Sequence, residues 1–329
     1  MKAIVIHKQG GLNALQLEDK PVPVPQAGEI LVNNKAIGVN FVDTLHRSGT
    51  YPMQVPFTPG IEAAGIVEAV GPGTKLFSVG DKVGYAGFMG GNYAEYTAVP
   101  EQKAVPIPEN VSFETAAASL LQGMTAHYLS QSIYPIQSGN SVLIHAAAGG
   151  VGLLLVQMVK QKGAIVIGTT SSEAKAKIAR DMGADHMILY TQEDFHAETM
   201  RLTNNEGVHV VYDSVGKATF DKSILSLRAR GYLVVYGISS GAMPPFDINS
   251  LSGFSGTKNK GSLFITRPSL GDYTSTRKDL LWRADDLFNW ITNGTLKVNV
   301  VGTFPLSEAA KAHELMESRQ VAGKIVLLP

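Results

Sequence analysis

Ser141-Val142-Leu143-Ile144-His145-Ala146-Ala147-Ala148-Gly149-Gly150-Val151-Gly152-Leu153-Leu154-Leu155-Val156-Gln157 reads as a strand, a glycine-rich turn and the start of an apolar helix. Such a layout offers a helix N-terminus, with unpaired N–H groups and the positive end of the dipole, as a seat for a pyrophosphate. The tight form of the turn is Ala147-x-Gly149-x-x-Gly152, so an Ala stands where the first Gly usually does. Small residues let the backbone approach a diphosphate, and Gly152 lets the helix pack close to the strand. A glycine-rich turn alone is a weak signal, because an ordinary βα turn looks the same. The second strand at 164–168, Ala-Ile-Val-Ile-Gly, supplies the context that makes it a dinucleotide site. Ala148, Gly149, Gly150 and Val151 are therefore expected to bind the cofactor.

The choice of dinucleotide turns on the end of that second strand. An NAD site usually places an Asp or Glu there for the ribose 2′-hydroxyl. Here the chain runs Thr169-Thr170-Ser171-Ser172-Glu173-Ala174-Lys175. Hydroxyls at the tip and a lysine one turn later suit a 2′-phosphate, which wants donors and a cation. NADPH is expected, with Ser171 and Lys175 at its phosphate. The plain alternative is a serine N-cap with Lys175 as a solvated helix charge. Glu173 is expected to point away along the helix.

The 329 residues exceed the usual size of one core, so two domains are expected. Lysine plus arginine and aspartate plus glutamate are balanced at 28 each, which leaves no electrostatic footprint for nucleic acid or an anionic membrane. There is no cysteine, so disulfides, thiolate catalysis and cysteine-ligated zinc are excluded. The first residues form too short an apolar run for a signal peptide, and no run approaches a membrane span. A cytoplasmic protein is expected.

Residues 1 to about 120 show short apolar runs between Gly, Pro and Asp turns, a β-rich texture. Pro21, Pro23 and Pro25 mark an extended spacer. A helix is predicted over 116–128, followed by alternating strands (142–145, 164–168, 208–213, 231–236) and helices (151–162, 174–182, 222–227). That rhythm predicts an α/β domain with a doubly wound parallel sheet. Helices near 277–293 and 307–318 and a strand at 323–327 complete the tail.

Longer segments carry a family resemblance. They are Gly38-Val39-Asn40-Phe41-Val42-Asp43-Thr44, Pro59-Gly60-Ile61-Glu62-Ala63-Ala64-Gly65-Ile66-Val67, the glycine turn, Val211-Tyr212-Asp213-Ser214-Val215-Gly216, Tyr236-Gly237-Ile238-Ser239-Ser240-Gly241 and Phe264-Ile265-Thr266-Arg267-Pro268. In this order, over nearly the whole chain, they resemble the medium-chain dehydrogenases/reductases, and among them the NADPH:quinone oxidoreductases of the zeta-crystallin type. The resemblance implies a GroES-like β-rich catalytic domain (1–122 and 268–329), a Rossmann domain (123–267) and an active site in the cleft between them. The zinc-dependent branch of that superfamily needs an early cysteine and a histidine before the glutamate of its Gly-His-Glu motif. Here the motif is Gly60-Ile61-Glu62, and an isoleucine cannot ligate zinc. No metal is expected, and Glu62 is read as a hydrogen-bonded structural carboxylate.

The same resemblance places Asn40 beside the nicotinamide, with an amide able to donate to a quinone oxygen or to the cofactor. It places Tyr51 along the substrate cleft, although a half-buried loop anchor fits Tyr51 equally. Many relatives carry a second tyrosine where Leu45 stands. Thr125 is expected near the nicotinamide, Tyr190 against the adenine, and Ser214, Gly237, Ser239 and Ser240 on the ligand-binding edge of the sheet. Phe264, Ile265 and Thr266 are expected to cover the nicotinamide through backbone groups, and Arg319 to reach the cofactor. Asp43 is read as structural, and His127 and His145 as packed.

The reaction that follows is NADPH-dependent reduction of a small-molecule quinone, with the chemistry carried by the nicotinamide. The alternative is reduction of an activated alkene, a 2-alkenal or enone, in the same cleft. A structural or RNA-binding role is a third reading, against which the balanced charge argues. The strand expected over 260–266 is an exposed edge, and pairing of such edges across a two-fold predicts a homodimer.

Overall fold

The computed structural model describes residues 1–243, 245–253 and 260–329. The chain divides into two compact units, one of residues 1–124 and 273–329, the other of residues 125–272.

The first unit opens with β1 (Lys2–Val5) and β2 (Gln16–Asp19), an antiparallel pair. Then come β3 (Glu29–Val39), α1 (Phe41–Ser48), β4 (Glu62–Val70), β5 (Lys82–Ala86), β6 (Tyr96–Pro100) and β7 (Ala104–Pro106). The boundary between units falls within α2 (Phe113–Tyr128). Asn40 stands at the N-cap of α1 and Gly49, at φ 88°, ends it in the left-handed region that glycine adopts without penalty. The side chains α1 buries are Asp43, Thr44, His46 and Arg47, polar groups that need partners within the fold.

The second unit alternates strand and helix as the sequence rhythm predicts. β8 (Ser141–Ile144) leads through the glycine turn into α3 (Gly150–Gln161). Next are β9 (Ile165–Thr170), α4 (Glu173–Asp181), β10 (His186–Leu189), α5 (Phe195–Leu202), β11 (Val208–Asp213), α6 (Phe220–Leu225), β12 (Leu227–Val235) and β13 (Phe264–Thr266). All neighbours are parallel, in the order β10-β9-β8-β11-β12-β13. The order reverses direction between β8 and β11, and a doubly wound sheet binds its ligand beyond the strand ends at such a point. Leu143, Ile167, Val211, Leu233 and their neighbours form its core.

The strand expected over 260–266 is shorter than its apolar content suggests. Gly261 and Ser262 both have positive φ, 87° and 53°, which breaks the extended run and leaves three residues to pair with β12.

After α7 (Leu270–Tyr273) the chain returns to the first unit with α8 (Arg277–Thr292), β14 (Val300–Pro305), α9 (Ala309–Glu317) and β15 (Lys324–Leu328). β15 pairs antiparallel with β3, completing a sheet ordered β14-β15-β3-β4-β5-β7, with β6 also on β3. Ile30, Ile37, Val67, Tyr85, Ile325 and Leu327 are central to its core. This pairing brings the last strand of the chain against the strand that leads into Asn40.

Candidate active site

In the second unit the glycine turn is held from both sides. The His145 N–H donates to the Tyr212 carbonyl at 3.0 Å and the Ala147 N–H to the Thr169 carbonyl at 3.0 Å. Gly149 is the N-cap of α3 and brings no side-chain cap, so capping does not use up the first N–H groups of the helix. A Cβ on Gly152 would collide with the carbonyl oxygen of Ala146 and lie 2.8 Å from the carbonyl carbon of Ala147. Ala146 itself sits at φ 49°, a left-handed conformation that costs an alanine energy a glycine does not pay. The turn is thus a backbone cradle with small residues where it is tightest, and its residues fit a diphosphate.

The other residues expected at a dinucleotide follow the strand ends of the same sheet. Ser171 comes one residue after β9, Tyr190 one after β10 and Ser214 one after β11. Ser172 is the N-cap of α4 but its side chain makes no capping bond, so capping does not use up that hydroxyl. Glu173 is turned to Arg180 in an ion pair along α4 and away from the strand tip. Lys175 is half-buried, and burial holds its ammonium below the ordinary lysine range, which an anionic partner would reverse. Tyr190 is 50% exposed, its ring available for stacking. The Ser239 N–H bonds the Ser214 carbonyl at 3.2 Å, and the Ser240 hydroxyl is engaged with the Val215 carbonyl at 2.7 Å. Ser240 therefore shapes the loop with its hydroxyl.

Below the turn lies a buried polar chain. His145 is held through Nδ1 to the Thr169 hydroxyl and through Nε2 to the Ser223 hydroxyl, each at 3.0 Å. The Ser223 hydroxyl also donates to Asp213 Oδ2 at 3.3 Å. Asp213 accepts from the N–H groups of Val215 and Gly216 and from the Thr219 hydroxyl. Burial keeps His145 below the ordinary histidine range, so it is a neutral strut between β8, β9 and α6.

In the first unit Asn40 lies in a second buried cluster. Its amide nitrogen donates to the Gly38 carbonyl at 3.1 Å and to Glu62 Oε2 at 3.0 Å. Its amide oxygen accepts from the Lys324 ammonium at 2.6 Å, and Lys324 also donates to Glu62 Oε2 at 2.6 Å. Both amide N–H bonds are thereby used, so the donation to a quinone oxygen expected of Asn40 is not open to it in this arrangement. Glu62 Oε1 accepts the Leu121 N–H at 2.6 Å. Nothing in the local sequence marks Lys324, because its partners stand 284 and 262 residues away.

Asp43 accepts the Asn40 N–H at 2.8 Å and the Tyr93 hydroxyl at 3.1 Å. Tyr51 is half-buried after α1, its carbonyl held by Gln9 and its ring 6.0 Å from that of His46. Arg319 is exposed beyond α9 at φ 57°. Asn40, Tyr51 and Arg319 thus belong to the first unit. Thr125, on α2, and all the strand-end residues belong to the second, as do Phe264, Ile265 and Thr266 on β13.

Residues 26–109 match the family described as alcohol dehydrogenase GroES-like domain, and residues 150–277 match zinc-binding dehydrogenase. The residues present do not fit a zinc ion. The chain has no cysteine, Ile61 precedes Glu62, and the Glu62 carboxylate is bonded to the Lys324 ammonium. Among the described residues no three His, Asp or Glu are grouped to hold a metal.

Over 329 residues the chain is 43% identical to quinone oxidoreductase 1 of Escherichia coli, covering 99% of each. It is 42% identical over 333 residues to a 2-haloacrylate reductase of a Burkholderia species, covering 99% of this chain and 98% of that protein. The structure of the Escherichia coli quinone oxidoreductase complexed with NADPH superposes with a TM-score of 0.95 at 42% identity, covering all of both chains.

Proposed function

Since the chain belongs to the quinone oxidoreductase family of the medium-chain dehydrogenases/reductases, we propose that it reduces a small-molecule quinone with NADPH and without a metal. The observation that carries this reading is the full-length similarity to quinone oxidoreductases, joined to a glycine cradle whose second strand ends in hydroxyls and a lysine instead of an acid. When bound, NADPH would supply the reducing electrons, as a hydride or singly, and protons from solvent would complete the reduced quinone. The chain's part is to bind and orient. Gly149, Gly150 and Val151 receive the diphosphate, Ala148 borders it, and Ser171 and Lys175 receive the 2′-phosphate. Tyr190 stacks on the adenine, and Ser214, Gly237, Ser239 and Ser240 line the strand-end edge. Thr125, Phe264, Ile265 and Thr266 border the nicotinamide, Asn40 holds a polar group beside it, and Arg319 reaches the cofactor. Tyr51 is the donor that orients a substrate oxygen, where negative charge develops.

The 2-haloacrylate reductase relative supports a second reading, NADPH reduction of an activated alkene. Oxidation of NADPH followed at its own absorbance, first with 1,4-naphthoquinone and then with an enone or a haloacrylate, separates the two. Turnover with the quinone supports the first reading. Turnover with the alkene alone replaces it with the second, and turnover with neither removes both.

A homodimer through the β13 edge and a cytoplasmic location complete the proposal. Phe264 at that edge is 49% exposed and stacks on Tyr232 at 4.4 Å, an apolar surface suited to a second copy. Among the described residues no helix is long and apolar enough to cross a membrane.

A further inference from the structure

We propose that Lys324 and Glu62 are positioning residues that lock the side-chain amide of Asn40 in one orientation and leave it able only to accept a hydrogen bond from a ligand. The inference rests on the NADPH-binding reading above and names which chemistry Asn40 contributes to it.

The three side chains are almost wholly removed from solvent, with exposures of 1% for Lys324, 0% for Glu62 and 3% for Asn40. The ammonium lies 2.6 Å from both Asn40 Oδ1 and Glu62 Oε2, so it faces the oxygen end of the amide. The nitrogen end faces Glu62 Oε2 at 3.0 Å and the Gly38 carbonyl at 3.1 Å. Rotating the amide by half a turn would set its NH₂ against an ammonium, and its oxygen against a carboxylate and a carbonyl. Every attractive contact would become a repulsion, so one orientation is left.

The frame around the amide is rigid. Asp43 takes the Asn40 backbone N–H at 2.8 Å, which fixes the residue at the head of α1. Glu62 is held by its other oxygen to the Leu121 N–H of α2 at 2.6 Å. Gly38 has no side chain because a Cβ there would collide with Glu62 Oε2 and the Ala117 carbonyl. A buried ion pair of this kind is a poor source of stability compared with an apolar pair of the same volume, so its use in orienting a third polar group accounts for it better.

With two N–H bonds spent and one lone pair given to Lys324, the one polar site left on the Asn40 side chain is the second lone pair of Oδ1, which a ligand donor would share with the Asp43 N–H of the α1 capping box. Its ligand partner must therefore carry an O–H or N–H. In NADPH that class comprises the ribose hydroxyls and the carboxamide NH₂. A quinone carbonyl, which only accepts, must find its donor elsewhere.

The test has two arms. In the intact protein labelled with ¹⁵N-asparagine, with Asn40→Asp identifying the signal, both side-chain amide protons of Asn40 should exchange with water far more slowly than those of exposed asparagines. Exchange as fast as at the surface would overturn the lock. The second arm is the double variant Lys324→Met/Glu62→Gln, which removes both charges together and strands neither. Its NADPH dissociation constant, read from cofactor fluorescence with no acceptor present, should rise about tenfold, and KM for the quinone should stay as in the parent. A folded double variant that binds NADPH like the parent overturns the proposal. If that variant does not fold, the exchange measurement decides. A parent protein that binds NADPH but reduces neither quinone nor alkene would sink the functional reading and leave the lock standing. A parent that binds no NADPH would sink both.

Discussion

The Tyr93 hydroxyl donates to the Asp43 carboxylate across 3.1 Å, and neither side chain reaches solvent. Tyr93 Oη also meets His313 Nε2 at 3.0 Å, and Arg47 donates to His313 Nδ1 at 3.3 Å. Because Arg47 has only donors, Nδ1 must accept, so Nε2 carries the proton and donates to Tyr93, which in turn donates to Asp43. The bonds diverge from Arg47, outward to Glu317, which accepts from Nη2 at 2.6 Å, and inward through His313 and Tyr93 to Asp43. Asp43 Oδ1 is buried with no hydrogen-bond partner among the described residues. Burial raises the Asp43 carboxyl to about 7, opposed by the Asn40 N–H, Lys324 and Tyr93 and assisted by Glu62.

The first prediction follows from that carboxyl. Between its unfolded value of 3.8 and about 7 the folded state holds a proton the unfolded state has lost, so Asp43 lowers stability as pH rises through this window. The full effect is roughly 4 kcal/mol. His313 acts in the opposite sense. Burial and Arg47 lower it to about 3, so the unfolded state binds the extra proton up to 6.5 and stability rises with pH over that range. Urea unfolding of Asp43→Asn against the parent should therefore show the difference moving in favour of the variant from pH 4 to 7. His313→Gln should lose ground to the parent over nearly the same range. Parallel pH curves for Asp43→Asn and the parent would contradict the raised carboxyl.

The glycine cradle gives a second prediction. Gly152→Ala places a methyl against the Ala146 and Ala147 backbone, which cannot move without opening the turn. The cost expected is about 1–3 kcal/mol of stability, as for overpacking, with NADPH affinity reduced more than tenfold. Ala146→Gly relieves the positive φ and should leave stability unchanged or raise it by up to about 1 kcal/mol. Thermal unfolding with and without NADPH measures both.

How much of this was legible in the sequence differs between the units. The second unit announces itself because β8 and β9 are short apolar runs and the turn between β8 and α3 carries glycine, so these elements lie where the pattern puts them. The helix α1 does not. It buries Asp43, Thr44, His46 and Arg47, and a buried face made of polar side chains has no apolar periodicity to detect. The strand carrying Lys324 was readable, but a lysine in a strand ordinarily points to solvent or marks an edge. Here β15 lies between β14 and β3, and the ammonium is buried against residues from the other end of the chain. The use of both Asn40 N–H groups follows from those distant partners and leaves no trace in Gly38-Val39-Asn40 itself.

The third prediction concerns the dimer. Among the described residues β13 is paired on one side only, and its Phe264 ring stacks on Tyr232, which in turn packs edge-on to Tyr134 at 5.2 Å. Phe264→Asp puts a charge into that aromatic edge with little effect on the buried core, since Phe264 is 49% exposed. Sedimentation should show the parent at twice the 35.1 kDa chain mass and the variant shifted toward the monomer. A parent that sediments as a monomer at micromolar concentration would remove the edge-pairing proposal.

The last prediction isolates the 2′-phosphate. Lys175 follows the hydroxyl-bearing end of β9, and Glu173, the acid within residues 169–175, is committed to Arg180. A carboxylate left at the strand tip would repel a phosphate, so this commitment matters as much as the lysine does. Lys175→Met keeps the aliphatic stem and removes the charge. Losing one charge-assisted bond costs about 1.5–3 kcal/mol, which is roughly ten- to a hundredfold in kcat/KM for NADPH. NADH has no 2′-phosphate and should be used by the variant as by the parent. The opposite change, Thr170→Asp, introduces an acid at the tip and should depress NADPH use while sparing or improving NADH. The ratio of the two coenzymes measured at one quinone concentration is the deciding quantity. An equal loss with NADH and NADPH in Lys175→Met would mean that the residue supports the helix and not the phosphate.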